Sequence, residues 1–508
     1  MKKFGRYLKQ FGFLFVVFCT LTNYFLTMSP TIDSFDSAEL ITGAYSLGIV
    51  HAPGYPLFLI VGHLIATLPV GNPALNMNLL NVIYSSLAVG MIFLCCLKLT
   101  KSLLISFFCA FLMSVSSLYW AISVVTEVYS LNAFLISIVL YRVICFQEDA
   151  SNRSLGWLGF AYGMNLAHHP SVIFFAPFLL FLVIKKRWGV LTWRNIFVTG
   201  IVICLPFLVY LYFPLRSIAN PPLDYVRDYF YKDLTSLSGV LWLMTGKMFS
   251  PEMFGRSFGD GLLQFLNLIG ILWLNYFGIG LVLSVYGLLV VSRNNFELAV
   301  FVGGGSLLIL LFFAYYKVVD NSQMIIPAII LLTLPMSAGL SDLLLKFSLK
   351  FNNIGIGHYA TIGAFLLLIL VIVNRPFNNQ SKDWTAYYFA RQVIEEVLPN
   401  SFIVSQWTAA TPLEYMQIVE KRRADVKMFD RGLYVLGLRD QLRKNSPEIF
   451  SALVKKINEE LRGRPVYITE NDYVLNDYFC LVHDGLIYRL YSLNSGRNDC
   501  VSDYSDGN

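Results

Sequence analysis

The chain has 508 residues, of which 56% are hydrophobic, 15% aromatic and only 14% charged, with a formal net charge of +6. A composition this apolar excludes an ordinary soluble enzyme. The basic residues sit at the ends of apolar runs and not in a stripe or patch, so the positive balance argues for membrane topology and against a nucleic-acid partner.

The charges divide the chain into two materials. Residues 376–508 hold 16 of the 38 Lys+Arg and 18 of the 32 Asp+Glu. The expected organisation is a membrane domain over 1–374 and a water-soluble domain over 375–508.

In chain order, the apolar run 11–28 follows Lys2, Lys3, Arg6 and Lys9 with no A-x-A-like cleavage site after it. It reads as a retained anchor with its N-terminus inside. Further runs fall at 78–97, 102–120, 126–146, 155–168, 171–184, 195–213, 268–292, 296–316, 323–345 and 357–374, about eleven spans at roughly 20 residues each. Alternate threading puts Lys98, Lys101, Arg142, Arg153, Lys185, Lys186, Arg187, Arg194, Arg293, Lys346 and Lys350 on the side of the N-terminus, as the positive-inside rule requires. Segments 29–77 and 214–267 and the tail then face outward. The stretch 55–69, bounded by Pro53, Pro56 and Pro69, reads as a short helix at the outer interface.

The tail shows helical spacing over 383–398, a strand over 402–407, a helix over 412–421 and a strand over 465–469, which predicts a small α/β domain. Six of the eight cysteines lie in or beside apolar runs without metal spacing. Cys480 and Cys500 lie in the tail, and a disulfide between them is open to the chain if that domain faces an oxidising compartment.

Carboxylates are scarce in the membrane part, so their positions carry information. Asp33, Asp36 and Glu39 cluster after the first span, and Glu127 lies at the outer end of a later one. Two readings of Asp36 with Glu39 stand side by side. They are acidic groups placed beside a lipid-borne substrate, or the D-x-x-E spacing is a capping box. The turn HAPGYPLF (51–58) fixes a non-helical path after the acidic segment. Within it His51 reads as a phosphate or sugar contact, or as a structural hydrogen-bond partner. His168 and His169, adjacent on a helix, point in different directions and do not make a metal pair by themselves. Arg216, in YFPLRSIANPPLDY, emerges at the membrane surface, either to clamp a phosphate or to snorkel to headgroups. Arg227, Lys232, Lys247 and Arg256 make the following outer connection basic, which suggests an anionic ligand.

Taken together, DSAEL (36–40), HAPGYPL (51–57), NPALNMNLLN (72–81), TEVYSLN (126–132) and YFPLRSIANPP (212–222) resemble a bacterial multi-pass membrane family related to the eukaryotic transmembrane O-mannosyltransferases of plexin-type IPT domains. The resemblance covers most of 10–260 and extends weakly to SQWTAATPLEYMQIVEKRRADVKMFDRGL in the tail. It implies a GT-C glycosyltransferase fold with a polyprenyl-phosphate sugar as donor, no cofactor, a protein or glycan hydroxyl as acceptor, and a bacterial plasma-membrane setting. By that analogy Asp36 is the catalytic carboxylate, Glu39 its partner and Glu127 the second carboxylate; from the residues themselves, His51, Tyr55, Tyr129, His168, His169 and Arg216 join Glu127 as candidate substrate contacts. Ala38 and Ala52 replace the family's usual glycine and proline, and Asp224, Tyr225 and Val226 stand where Asn-Trp-Gly is common.

Such a transfer needs a base for the acceptor proton and positive charge for the departing phosphate. Asp36 and Arg216 are expected to meet in these two roles, and a divalent metal is left open. The competing classes are a flippase or transporter, which requires ionisable or helix-breaking positions near mid-membrane, and an outward-facing assembly protein whose acidic motif is only a cap.

Overall fold

The computed structural model describes residues 2–186, 188–190, 192–318, 322–350, 356–441, 448–493, 497 and 499–501; Arg187 lies outside them. The chain forms two compact units, each built from three separate segments: 1–28, 78–210 and 249–381 in the first, 29–77, 211–248 and 382–508 in the second.

All eleven apolar runs are helical over most of their length. Among the described residues, seven helices are long and apolar enough to cross a membrane. Two further runs are bent pairs, Leu103–Ser114 with Ser117–Ser123 at 69° and Phe258–Asn275 with Ile279–Asn294 at 102°. The remaining two are the shorter helices Asn152–His168 and Ala176–Lys186. The protein is therefore a multi-pass helical membrane protein.

The first bend shows how the membrane unit accommodates broken helix. The Ser114 and Ser116 hydroxyls donate back to Phe111 O and Met113 O, competing with the backbone ladder. The carbonyls released there find other donors: Tyr24 Oη donates to Ser114 O at 2.7 Å and Asn374 Nδ2 to Val115 O at 2.7 Å. A break without such partners is not tolerated away from water. Close helix approach sets a second feature. A Cβ on Gly287 would lie 1.7 Å from Pro335 O, so the Ile279–Asn294 and Ile326–Lys350 helices touch backbone to backbone there.

In the second unit, Asp36–Ser46 and Pro56–Ala66 are 11-residue helices, about 16 Å long and too short to cross. Ile49 pairs in parallel with Asp224, its N–H donating to Leu223 O at 2.8 Å, which ties the first connection to the 211–248 segment. The tail folds as the expected α/β domain around a five-stranded sheet: β1 (Phe402–Ser405), β2 (Lys427–Asp430), β3 (Val466–Ile468), β4 (Phe479–Asp484) and β5 (Ile487–Ser492), in spatial order β2-β1-β3-β5-β4. β1 runs parallel to β2 and β3, and β5 is antiparallel to β3 and β4. One side of the sheet is closed by the helices Thr385–Glu396 and Trp407–Ile418, whose Ala390, Val393, Ile394, Leu413 and Met416 pack with Ile403 and Tyr467. Cys480 and Cys500 are disulfide-bonded.

Candidate functional site

The acidic segment begins at a strained point. Phe35 has φ 59° and ψ −134°, a region sparsely occupied by residues with a side chain, and the helix starts immediately after it with Asp36. No side chain caps this start, so the capping-box expectation fails. The physical reason is that both carboxylates are engaged elsewhere.

Glu39 is wholly buried, and its Oε1 accepts the His51 backbone N–H at 2.7 Å while Oε2 lies 2.6 Å from His51 Nδ1. Because the carboxylate only accepts, Nδ1 carries the hydrogen, and Nε2 is the ring nitrogen left to face Asp36. That nitrogen lies 3.7 Å from Asp36 Oδ2. The other oxygen of Asp36, Oδ1, accepts the indole N–H of Trp407 at 2.9 Å. Tyr55 and Trp407 pack their rings against His51, each with centroids 5.5 Å away. Burial pushes the Glu39 carboxyl above its usual range, with His51 pulling the other way. Asp36, Glu39 and His51 each offer one ligand atom within 4.8 Å of the others, an O, O, N set able to hold a divalent cation.

The turn that carries His51 is positioned by close packing. Gly54 has φ +83°, and a Cβ there would lie 2.4 Å from the Phe213 ring. Only glycine lets HAPGYP run this close to the helix Tyr212–Ala219.

That helix also fixes the place of Arg216. Its Nε donates to Leu47 O at 2.7 Å and its Nη2 to Ser46 O at 3.3 Å, satisfying carbonyls at the C-terminal end of the Asp36–Ser46 helix. Ten residues of helix, about 15 Å of rise, separate this end from Asp36. The two groups do not meet, because the guanidinium is held at the far end of that helix. Three of the four basic residues of the following connection also have partners within the protein. Arg227 pairs with Asp228 at 2.7 Å, Lys232 with Asp440 at 2.8 Å, and Arg256 donates to Tyr316 O.

The remaining sequence candidates gather in the membrane unit. Glu127, buried, precedes the helix Val128–Asp149, and its N–H donates to Asn81 Oδ1 at 3.3 Å. His168 ends the helix Asn152–His168 with Nε2 3.1 Å from Val128 O. His169 follows it, its ring 5.7 Å from that of Tyr129. Glu127, Tyr129, His168 and His169 thus form one cluster, and Asp36, Glu39, His51 and Tyr55 form another.

Sequence reasoning missed a group contributed by the tail. Trp407, Thr411 and Glu414 lie on one face of the Trp407–Ile418 helix. Thr411 Oγ1 donates to Phe35 O at 2.7 Å, and Tyr225 Oη donates to the buried Glu414 carboxyl. Desolvation holds Glu414 well above the usual carboxylate range. Asp430, at the end of β2, accepts Leu433 N–H at 2.8 Å; burial, with the Glu39 charge adding to it, pushes it up to about 7 against the pull of the Leu433 and Gly432 N–H groups and Arg431. The signal available in sequence was spacing: Trp407, Thr411 and Glu414 recur at four and three residues inside the tail stretch noted above.

Asp430 gives a pH prediction. Its folded pKa lies above the unfolded value of about 3.9, so the native state binds more protons between these limits and stability falls as pH rises from about 4 to about 7. Thermal unfolding of the detergent-solubilised protein is expected to lose roughly 5 °C more across that window than Asp430→Asn does. Parallel pH profiles for the two proteins would exclude this contribution.

Residues 36–192 match the family model described as the Protein O-mannosyl-transferase TMEM260 N-terminal domain. The chain is 30% identical over 235 residues to Protein O-mannosyl-transferase TMEM260 of Mus musculus, covering 44% of this chain and 32% of the relative. It is 24% identical over 305 residues to Protein O-mannosyl-transferase tmem260 of Dictyostelium discoideum, covering 54% and 36%. The chain thus spans about a third of the length of these curated relatives. In three dimensions it is similar to the crystal structure of ArnT from Cupriavidus metallidurans bound to undecaprenyl phosphate, with a TM-score of 0.59, 13% identity, and coverage of 95% of this chain and 98% of that one. The protein has the GT-C fold, with a small sheet domain at its C-terminus.

Proposed function

We propose that this chain, a GT-C-fold membrane protein with a TMEM260-type domain over 36–192, is a glycosyltransferase. It moves a hexose, mannose by analogy with its relatives, from a polyprenyl-phosphate donor to an acceptor hydroxyl of a protein or glycan. The observation that carries the reading is the Asp36 carboxylate, held at a helix start by Trp407 with His51 Nε2 3.7 Å from its second oxygen.

The acceptor oxygen attacks the anomeric carbon, the bond from that carbon to the phosphate oxygen breaks, and its electron pair leaves with the lipid phosphate. The acceptor proton passes to Asp36 Oδ2, with His51 Nε2 placed to share it and Glu39 stabilising the imidazolium that results. Phosphate is a sufficient leaving group without a protonated carboxyl, unlike the leaving alcohol of glycoside hydrolysis. Glu127, Tyr129, His168 and His169 are proposed as contacts of the donor lipid. Arg216 is given a scaffolding part, holding the far end of the helix that begins at Asp36. The setting is the plasma membrane of a bacterium with the N-terminus cytoplasmic and the tail outside. The Cys480–Cys500 disulfide supports that side for the tail.

Membranes containing the protein, supplied with undecaprenyl phosphate carrying labelled mannose, test the reading. Release of undecaprenyl phosphate with label on an acceptor supports it. Movement of the intact lipid across the bilayer, without cleavage, is the result of a flippase and overturns it.

A further inference from the structure

We infer that Trp407 is a positioning residue for the transfer reaction, so that the tail domain completes the active site instead of serving only to recognise an acceptor. The inference rests on the reading of Asp36 as base.

Three observations converge on it. The Trp407 indole N–H donates to Asp36 Oδ1 at 2.9 Å, which leaves Oδ2 as the oxygen facing His51 Nε2. A carboxylate with a free χ2 torsion presents either oxygen to a substrate; one fixed donor removes that freedom. Next, the indole is itself held, with its ring centroid 5.5 Å from both His51 and Tyr225. Tyr225 is in turn bonded to Glu414, seven residues further along the same tail helix. Last, one turn after Trp407, Thr411 Oγ1 donates to Phe35 O at 2.7 Å. The same helix therefore grips the residue before Asp36, at the strained φ of 59°, and the side chain of Asp36 itself. Orientation of a reacting group within a few tenths of an ångström is worth large factors in rate, and a donor that acts only on the base affects turnover more than donor affinity.

The test uses the full chain in membranes that supply their own acceptor, with undecaprenyl-phosphate mannose as the probe donor. Trp407→Phe keeps an aromatic ring and deletes the N–H. Its turnover is expected to fall about 10- to 100-fold, with KM for the donor lipid changed by less than about twofold. If Trp407→Phe lowers the yield of folded protein, benzothienylalanine at 407 replaces it, since it preserves the indole shape and exchanges only N–H for sulfur; the same loss of turnover is expected. Unchanged turnover in a folded protein of either kind overturns the inference, as does a rise in KM with turnover intact. If Asp36→Asn is inactive while Trp407→Phe is normal, only the role of Trp407 falls. If Asp36→Asn is active, the functional reading falls with it.

Discussion

An Asp36→Asn protein is expected to insert and fold as the parent does, yet to lose sugar transfer by about 10²- to 10⁴-fold, the range a positioned general base contributes. The substitution is nearly isosteric, and the amide oxygen still accepts the Trp407 N–H that Oδ1 accepts at 2.9 Å. What disappears is the second anionic oxygen, the one 3.7 Å from His51 Nε2. Binding of the donor lipid is expected to persist. The check is release of undecaprenyl phosphate from labelled undecaprenyl-phosphate mannose, read beside a thermal melt of the same preparation. Full transfer by a normally folded Asp36→Asn protein would remove Asp36 from the role of base.

The second large effect is expected at Glu39, where Glu39→Gln separates charge from shape. The substituted amide can still accept the His51 backbone N–H through its oxygen, but its own hydrogens then face Nδ1, which in the parent carries a hydrogen directed at Glu39 Oε2 across 2.6 Å. Two donors cannot share that contact. The imidazole is expected to change tautomer, with Nδ1 accepting and Nε2–H turned toward Asp36. The nitrogen that shares the acceptor proton is then already protonated, and the negative charge that stabilised the imidazolium has gone. Turnover is expected to fall about 10²-fold or more, with the melting temperature little changed because the buried hydrogen bonds are retained. Nitrogen-15 chemical shifts of His51 would report the tautomer. An unchanged tautomer with normal turnover would exclude Glu39 from the relay.

The readability of this chain from sequence follows the range of the forces concerned. The helical runs are visible because apolar content over some twenty residues is a local property, and each run does form helix. In the tail, Thr385–Glu396, Phe402–Ser405, Trp407–Ile418 and Val466–Ile468 fall where periodicity puts them, within a few residues. The strands Lys427–Asp430, Phe479–Asp484 and Ile487–Ser492 were not expected. They are short, and their place is decided by pairing with partners distant in sequence. The D-x-x-E spacing of Asp36 and Glu39 is as good a capping box as any, yet Glu39 instead holds a residue 12 positions later. Spacing within a helix reports which side chains share a face and is silent on what arrives opposite them. For a related reason, Arg216 does not meet Asp36. Its charge suits a phosphate, but two backbone carbonyls at 2.7 and 3.3 Å claim it first.

The bond between Trp407 and Asp36 joins residues 371 positions apart, and this separation bears on biogenesis. A ribosome delivers the acidic segment early and the indole only after the last apolar run has been synthesised. During that interval the nascent chain carries Asp36 without the indole that bonds its Oδ1. A chain stalled or cleaved before Trp407 would present Asp36 with neither the indole N–H nor the Thr411 hydroxyl that holds Phe35, so the order of translation makes this contact one of the last the polypeptide can close.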